Sequence, residues 1–301
     1  MSPNQISDQN NLQSRDDRPL APGLYLVATP IGNLEDITLR ALRVLRQADR
    51  IACEDTRQTQ KLLNHFEIRT PTVSYHMHNE GSRTEELIAE LRQGARIAVV
   101  SDAGTPGIAD PGGQIVAAAL AAGVDVFPIP GANAAISGLI ASGLPTEHFT
   151  FHGFLPAKAG QRKTALEDLD RSDATHIFYE APHRILDTLA DVESVFGPAQ
   201  HVVIARELTK LHEEFLRGTV ADLRSQLNAR ASVRGEIVLM LAPAAAETAP
   251  ETKATLAAEV AALRKSEGIS EMDALKRVAR ERGIGKSEAY RELQREQNRL
   301  R

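Results

Sequence analysis

The chain has no tryptophan, a 4% aromatic content and a single cysteine in 301 residues. One thiol, Cys53, leaves no disulfide framework and no cysteine-rich zinc site, and points to a reducing compartment such as the cytosol. No apolar run reaches the length of a bilayer span. The first 20 residues are polar, rich in Asn, Gln, Asp and Ser, without the apolar stretch of a signal peptide, so residues 1–21 read as a disordered tail. The net charge of −5 excludes a uniformly basic nucleic-acid binder, though not a local basic face. A Gly-x-Gly-x-x-Gly fingerprint is missing, which argues against a dinucleotide fold. Arg280 to Ser287 ends like a P-loop, but the first glycine is absent and a helix precedes it, so an NTP site is rejected.

What is present is a run of alternating elements. Compact apolar strands are expected at 23–28, 50–53, 72–75, 96–100 and 124–129. Between them lie helical patterns: one capped by Asp36 or Thr38, one through Lys61–Leu63, one opened by a Ser82/Glu85 capping box, one over Ile115–Ala122. Strand–helix alternation implies a mostly parallel sheet covered on both faces. After Gly143-Leu144-Pro145 the pattern changes. Five strand candidates follow, at 149–154, 175–179, 202–205, 214–218 and 237–241, with helices near 160–170 and 183–195. Two consecutive strands without a helix between them predict a mixed sheet. The expected organisation is therefore an α/β domain at 22–144, a second at 145–243, a linker at 244–254 and a helical piece at 255–301. In that last piece Ser270 and Asp273 cap one helix, Arg282-Gly283-Ile284-Gly285 turns, and Ser287 opens another, the outline of a helix-turn-helix. Residues 251–301 carry 12 Lys+Arg against 9 Asp+Glu, a charge of +3 that leaves the body at −8. RNA contact, a solvated appendage and a dimer contact all accommodate so small an excess.

The densest signal is Ser101-Asp102-Ala103-Gly104-Thr105-Pro106-Gly107-Ile108-Ala109-Asp110-Pro111-Gly112-Gly113, directly after the strand at 96–100. Four glycines and two prolines give a shaped loop that lets backbone approach a ligand, at the strand end where parallel sheets bind ligands. Asp102 can accept hydrogen bonds from a ribose or an amine, and backbone around Gly104, Thr105 and Ile108 can hold an adenosine or amino-acid moiety. Polar clusters end other strands: Glu54-Asp55-Thr56-Arg57, Tyr179 to Arg184 with Glu180 inside it, and Arg206 to Lys210. His76 and His78 share a face of an expected extended segment, where a polar cleft wall is favoured over a metal site. Singly each cluster reads as structure. Together with a second glycine loop, Pro130-Gly131-Ala132-Asn133, they predict a cleft between two domains.

Leu26 to Leu34, Cys53 to Arg57, Ser74 to Glu80, the 101–113 loop, Pro130 to Asn133, Phe178 to Arg184 and Ala205 to Thr209 resemble the ribosomal small-subunit RNA cytidine 2′-O-methyltransferase I family, within the tetrapyrrole methylase superfamily. The resemblance spans about 24–243, and the tail resembles the helix-turn-helix of many members. It implies two α/β domains of the tetrapyrrole methylase type with S-adenosylmethionine held between them. It also implies a cytidine 2′-hydroxyl in the 16S rRNA decoding centre as acceptor, a homodimer, and a cytoplasmic protein acting on the small ribosomal subunit. Cofactor contacts would fall on Pro30, Ser101, Asp102, Ala103, Gly104, Thr105, Ile108, Asn133, Ala134, Tyr179 and Glu236. A sulfonium donor carries its own activation, so transfer needs no metal, whereas a ribose hydroxyl needs a base within reach. Glu54, Asp55, Arg57, His76 and His78 are the expected catalytic set, with Glu180 a further carboxylate and Arg184 and Lys210 as possible phosphate holders. Two other readings stand beside it: a small-molecule tetrapyrrole methyltransferase, and a non-catalytic RNA- or DNA-binding regulator.

Overall fold

Apolar residues at every position of Leu24–Val27 and Ile97–Val100 leave these strands no solvent face, and both lie inside a parallel sheet. The computed structural model of the chain describes residues 19–244, 256–281, 289–291 and 293–294. Its first sheet has the order β3-β2-β4-β1-β5, formed by β1 (Gly23–Val27), β2 (Arg50–Cys53), β3 (Thr72–Ser74), β4 (Arg96–Val100) and β5 (Val126–Ile129). All its pairings are parallel. Period-2 alternation sends Tyr25, Val27, Ala98 and Val100 to one core with α1 (Leu39–Gln47) and α2 (Thr56–His65). Leu24, Ile97 and Val99 go to the other, with α3 (Glu80–Arg92) and α4 (Gly113–Ala121).

The second sheet, β6-β7-β10-β8-β9, is mixed, as the doubled strands implied. β6 (Phe149–Phe154) pairs parallel with β7 (Thr175–Glu180), while β8 (His201–Arg206), β9 (Glu214–Thr219) and β10 (Ile237–Leu241) pair antiparallel. One face is covered by α6 (Ala159–Glu167), α7 (Ile185–Phe196) and α8 (Val220–Asn228). The other face meets α5 (Ala134–Ser142) through Ala135 and Leu139, together with Ile31 from the first half of the chain. Thus α5, ahead of the expected boundary at 145, packs on the second sheet, and Gly143 closes it in the left-handed conformation at φ 83°.

Several local expectations are corrected. Thr38, not Asp36, caps α1 by accepting from the Ala41 N–H; Asp36 lies in a short 3-10 turn, Leu34–Asp36. No capping box forms at Ser82: α3 starts at Glu80, and the Ser82 hydroxyl donates to the Asn79 carbonyl from inside the first turn. The His76–His78 segment is a turn, not extended, because Asn79 Oδ1 accepts from the His76 N–H and folds the chain into α3. Helix α8 was not expected. It follows β9 without a loop, capped by Thr219, with Val220, Leu223 and Leu227 buried on one stripe.

The described residues up to Pro243 form one compact unit, and those from Ala244 onward a second. The second holds α9 (Leu256–Glu267), α10 (Glu271–Glu281) and helical residues at 289–291 and 293–294 around a small core with Val260, Leu275, Val278 and Leu293. Ser270 caps α10 by accepting from the Asp273 N–H. Residues 1–18 of the tail expected at 1–21, most of the linker, the 282–285 turn and the Ser287 helix start lie outside the described residues; within 19–21, the Leu20 N–H donates to Gln47 Oε1 and the Ala21 carbonyl accepts from the Tyr25 hydroxyl, so that end of the expected tail is tied to the first sheet's unit.

Candidate active site

The loop after β4 is fastened to the exit of β1. Thr29 and Gly104 exchange both backbone hydrogen bonds, at 2.9 and 3.0 Å. Gly104 has φ 83°, and a Cβ there would lie 3.3 Å from Ile31 Cγ2, so the position is reserved for glycine by backbone and space together. The buried Ser101 hydroxyl reaches the carbonyls of Ala103 and Gly104, and Thr29 Oγ1 donates to the Ser101 carbonyl. Thr105 Oγ1 donates to the Ala132 carbonyl and accepts from Asn133 Nδ2, joining the two glycine loops. Asn133 also caps α5 through the Ile136 N–H.

Between the interlocked loops and the second sheet lies a cavity of about 330 Å³. One wall is Ile31, Ala103, Gly104, Thr105 and Ile108 to Asp110; Asn133 and Ala134 begin α5 at its base. The facing wall comes from Phe154, Tyr179 to Pro182, Ala205, Leu208 and Glu236 to Val238. Eight expected cofactor residues therefore meet at one cavity: Ala103, Gly104, Thr105, Ile108, Asn133, Ala134, Tyr179 and Glu236. Pro30, Ser101 and Asp102 do not line it. Ser101 shapes the loop from beneath, and Asp102 Oδ1 accepts from the Asp55 N–H at 3.0 Å.

The expected catalytic set lies behind the loop rather than on the cavity wall. Asp55 caps α2, accepting from the Arg57 N–H and guanidinium, and these bonds hold its carboxyl below the usual range. Arg57 is otherwise exposed, with 87% of its side chain accessible. Glu54 is pushed up, first by burial and then by the charge of Asp102. His78 is exposed; its ring meets that of His76 edge-on at 5.9 Å, and His76 Nδ1 is buried with no partner among the described residues. Glu80 Oε1 accepts from both the Tyr75 hydroxyl and the Gly112 N–H, tying this turn to the loop's far end. Both clusters brace the 101–113 loop.

The strand-end clusters of the second half are fastened too. Glu180, with its side chain 0% exposed, accepts from the Ala181 N–H and Thr188 hydroxyl and pairs with Arg184 at 3.3 Å. Arg184 reaches on to the carbonyls of Leu155 and Pro156. Lys210 Nζ lies 3.0 Å from both Glu207 and Glu236, so it is held by carboxylates rather than offered to phosphate. Its stem covers Gly32 so closely that a Cβ would sit 2.4 Å from Lys210 Cγ. Glu207 and Thr209 adopt φ 52° and 66°, the strained path of this loop beside the cavity.

The sequence reading missed the apolar lining, Ile31, Leu208 and Val238, and two residues with chemical character. Phe154 is 57% exposed at the cavity, set there by a register shift in β6 with Gly153 at φ 68°. Asp110 is half-buried, and burial followed by the charge of Glu54 pushes its carboxyl up to about 6. Asp110 was within the quoted loop; what sequence lacked was the surrounding carboxylates that make it unusual.

Residues 23–224 match the family described as Tetrapyrrole (Corrin/Porphyrin) Methylases. The chain is 48% identical over 288 residues to a ribosomal RNA small subunit methyltransferase I of Halalkalibacterium halodurans, covering 95% of this chain and 98% of that protein. It is 45% identical to the protein of the same name from Bacillus subtilis, over 89% of this chain and 92% of that one. Among solved structures it resembles diphthine synthase (TM-score 0.55, 16% identity, 73% of this chain and 89% of that one) and the methyltransferase CobJ (TM-score 0.55, 18% identity, 74% and 95%). At such identity these structures speak for the fold alone.

Proposed function

The chain belongs to the tetrapyrrole methylase family and within it to the ribosomal small-subunit RNA methyltransferase I group, and on that footing we propose that it methylates the RNA of the small ribosomal subunit from S-adenosylmethionine. The observation that carries this is near-complete coverage by relatives of that name, joined to a cavity in this chain lined by its two glycine loops. The finer target is the one the resemblance implies, the 2′-hydroxyl of a cytidine in the decoding centre.

The residues present fit the cofactor. The cavity has the size of small-molecule sites and is largely apolar with a few polar groups, as an adenosyl group with an amino-acid tail requires. Gly104, at φ 83°, lets backbone rather than side chain face the cavity. Ala103 to Thr105 and Ile108 would hold the cofactor from one side, Asn133 and Ala134 from below, and Tyr179 from the second sheet. When bound, the sulfonium supplies an electrophilic methyl carbon. The chain's own part is positional. It keeps the ribose oxygen in line with that carbon at near-attack distance and keeps water from the transfer path.

A homodimer in the cytoplasm, acting on assembled subunits, completes this reading. Assembled subunits offer shape and several contact surfaces at once, which compensates for the acidic body. Among the described residues, no helix is long and apolar enough to cross a membrane. Incubation with methyl-labelled S-adenosylmethionine and purified unmethylated small subunits tests the reading: label in the rRNA is expected. Label in uroporphyrinogen instead would assign the small-molecule reading, and cofactor-free, transfer-free protein the regulator.

A further inference from the structure

The two faces of the first sheet carry opposite charge. Helices α1 and α2, which cover one face, hold five Lys or Arg and no Asp or Glu: Arg40, Arg43, Arg46, Arg57 and Lys61. On the other face α3 holds four Glu against two Arg, and α4 has no charged residue. Around the second sheet α7 has three carboxylates and no cation, α8 one of each, and α6 two cations against one carboxylate. A body of net charge −8 therefore gathers its cations on one helical face.

Arg40, Arg46, Arg57 and Lys61 are exposed, and Arg43 partly so. Along α2, Arg57, Lys61 and His65 recur every four residues, which stacks them on one side of the helix, away from the buried Thr59 and Leu63. On α1 the arginines recur every three residues, away from the buried Leu42 and Leu45. Arg46 Nη2 donates to the Phe66 carbonyl at 3.3 Å, tying the end of α1 to the end of α2. Asp55 holds Arg57 without covering it, and Asp49 is bound by Arg96. Glu35, Asp36 and Glu67 lie outside the helices, before α1 and after α2. Both helices start beside the cavity. Ile31, on the cavity wall, lies in the connection that leads to Thr38, the cap of α1, and the N–H of Asp55, the cap of α2, donates to Asp102 in the glycine loop.

We propose that the outer face of α1 and α2 binds the phosphodiester backbone of the RNA whose ribose enters the cavity, an assignment that rests on the RNA methyltransferase reading. Four of the five cations are arginines, whose planar fork matches phosphate oxygens in pairs. Acidic surfaces elsewhere repel the same polyanion, which steers it onto the one face whose helices begin at the site. Phosphate contacts fix register and orientation and carry no base sequence. The surface therefore acts on RNA binding and leaves the transfer step to the cavity.

The test is methylation and binding of small subunits across a salt series, alongside calorimetric cofactor binding. Each phosphate neutralised on a single strand contributes about 0.7 to the slope of log affinity against log salt. Arg40→Gln/Lys61→Gln in one chain is therefore expected to weaken subunit binding about 10-fold at about 0.15 M salt and to lower that slope by about 1.4. The rate at saturating subunits and the cofactor affinity should stay at their wild-type values, which also reports a folded protein. Arg40→Lys/Lys61→Arg keeps both charges and should keep the wild-type slope. Arg83→Gln/Arg92→Gln, the same loss of charge on α3, should change neither affinity nor slope. Wild-type affinity and slope in Arg40→Gln/Lys61→Gln overturn the assignment. So does an equal loss in the α3 variant, since net charge alone would then be responsible. A defect on assembled subunits that is absent on protein-free 16S rRNA overturns it too, because the face would then meet a ribosomal protein. A wild type that transfers no label to rRNA overturns the parent reading and this assignment together, whereas labelled rRNA with an unaffected variant overturns this assignment alone.

Discussion

At the residue scale, charge placement decides which polar side chains act and which hold the fold. Glu214 lies between Arg206 and Arg230, and hydrogen bonds from Arg230 foremost hold its carboxyl down at about 2. A depressed folded-state pKa contributes stability that is complete above the ordinary value of 4.5 and is lost as pH falls through about 2. Glu214→Gln is expected to flatten that acid limb in denaturant titrations; an unchanged limb would remove the network from the stability account. Gly32 shows the opposite constraint, space rather than charge. Gly32→Ala should displace the Lys210 stem and cost about 1–3 kcal/mol, and Lys210→Ala in the same chain should recover part of it, measurable as a double-mutant cycle in chemical denaturation. None of this was visible in the Arg206–Lys210 run, because a polar run does not state which partner each side chain will find.

At the scale of elements, caps and connections were legible where one residue suffices and illegible where a neighbour decides. Asn133 and Thr38 cap their helices by local hydrogen bonds, and a short polar side chain before an apolar stripe announces that. Helix α8 has the same signature, Thr219 three residues before Asp222 with buried positions at 220, 223 and 227, but it abuts β9 with no turn residues to mark the change. Thr219→Ala is expected to lower stability by about 1 kcal/mol, read as a shifted denaturation midpoint with unchanged slope; no shift would mean the cap is redundant. Arg217, from β9, donates to the carbonyls of Ala141 and Ser142 and so satisfies the end of α5 across 75 residues of chain. Such long-range caps have no local sequence pattern. The bulge that turns Phe154 toward the cavity is similar: Gly153 permits it, and the register of β6 against β7 imposes it.

At the scale of the whole molecule, every cavity-lining residue falls between Ile31 and Val238, inside the unit that ends at Pro243. A chain ending at Pro243 is therefore expected to bind S-adenosylmethionine with an affinity within about threefold of the full chain, since a ligand's differential affinity comes only from groups it contacts. Calorimetry checks this, and loss of binding on truncation would assign the helical unit to the cofactor site. Rates on small subunits, measured on the same pair of proteins, report what α9 and α10 contribute to RNA.

Periodicity and turn chemistry alone determined the alternating first half, the mixed second sheet, the two glycine loops and the strand-end location of the ligand site, because these follow from backbone sterics and burial within a few residues. The motif resemblance extended that to eight residues that the fold brings around one cavity. Only the tertiary structure decided that the Asp55 N–H and the Glu80 carboxylate tie the two polar clusters to the 101–113 loop while Arg57 and His78 stay exposed, and that Asp110 lines the cavity among like charges. A carboxylate's identity is written in the sequence. Its proton affinity depends on burial and on charges brought from Glu54, 56 residues away in the chain, and those exist only once the sheets have folded together.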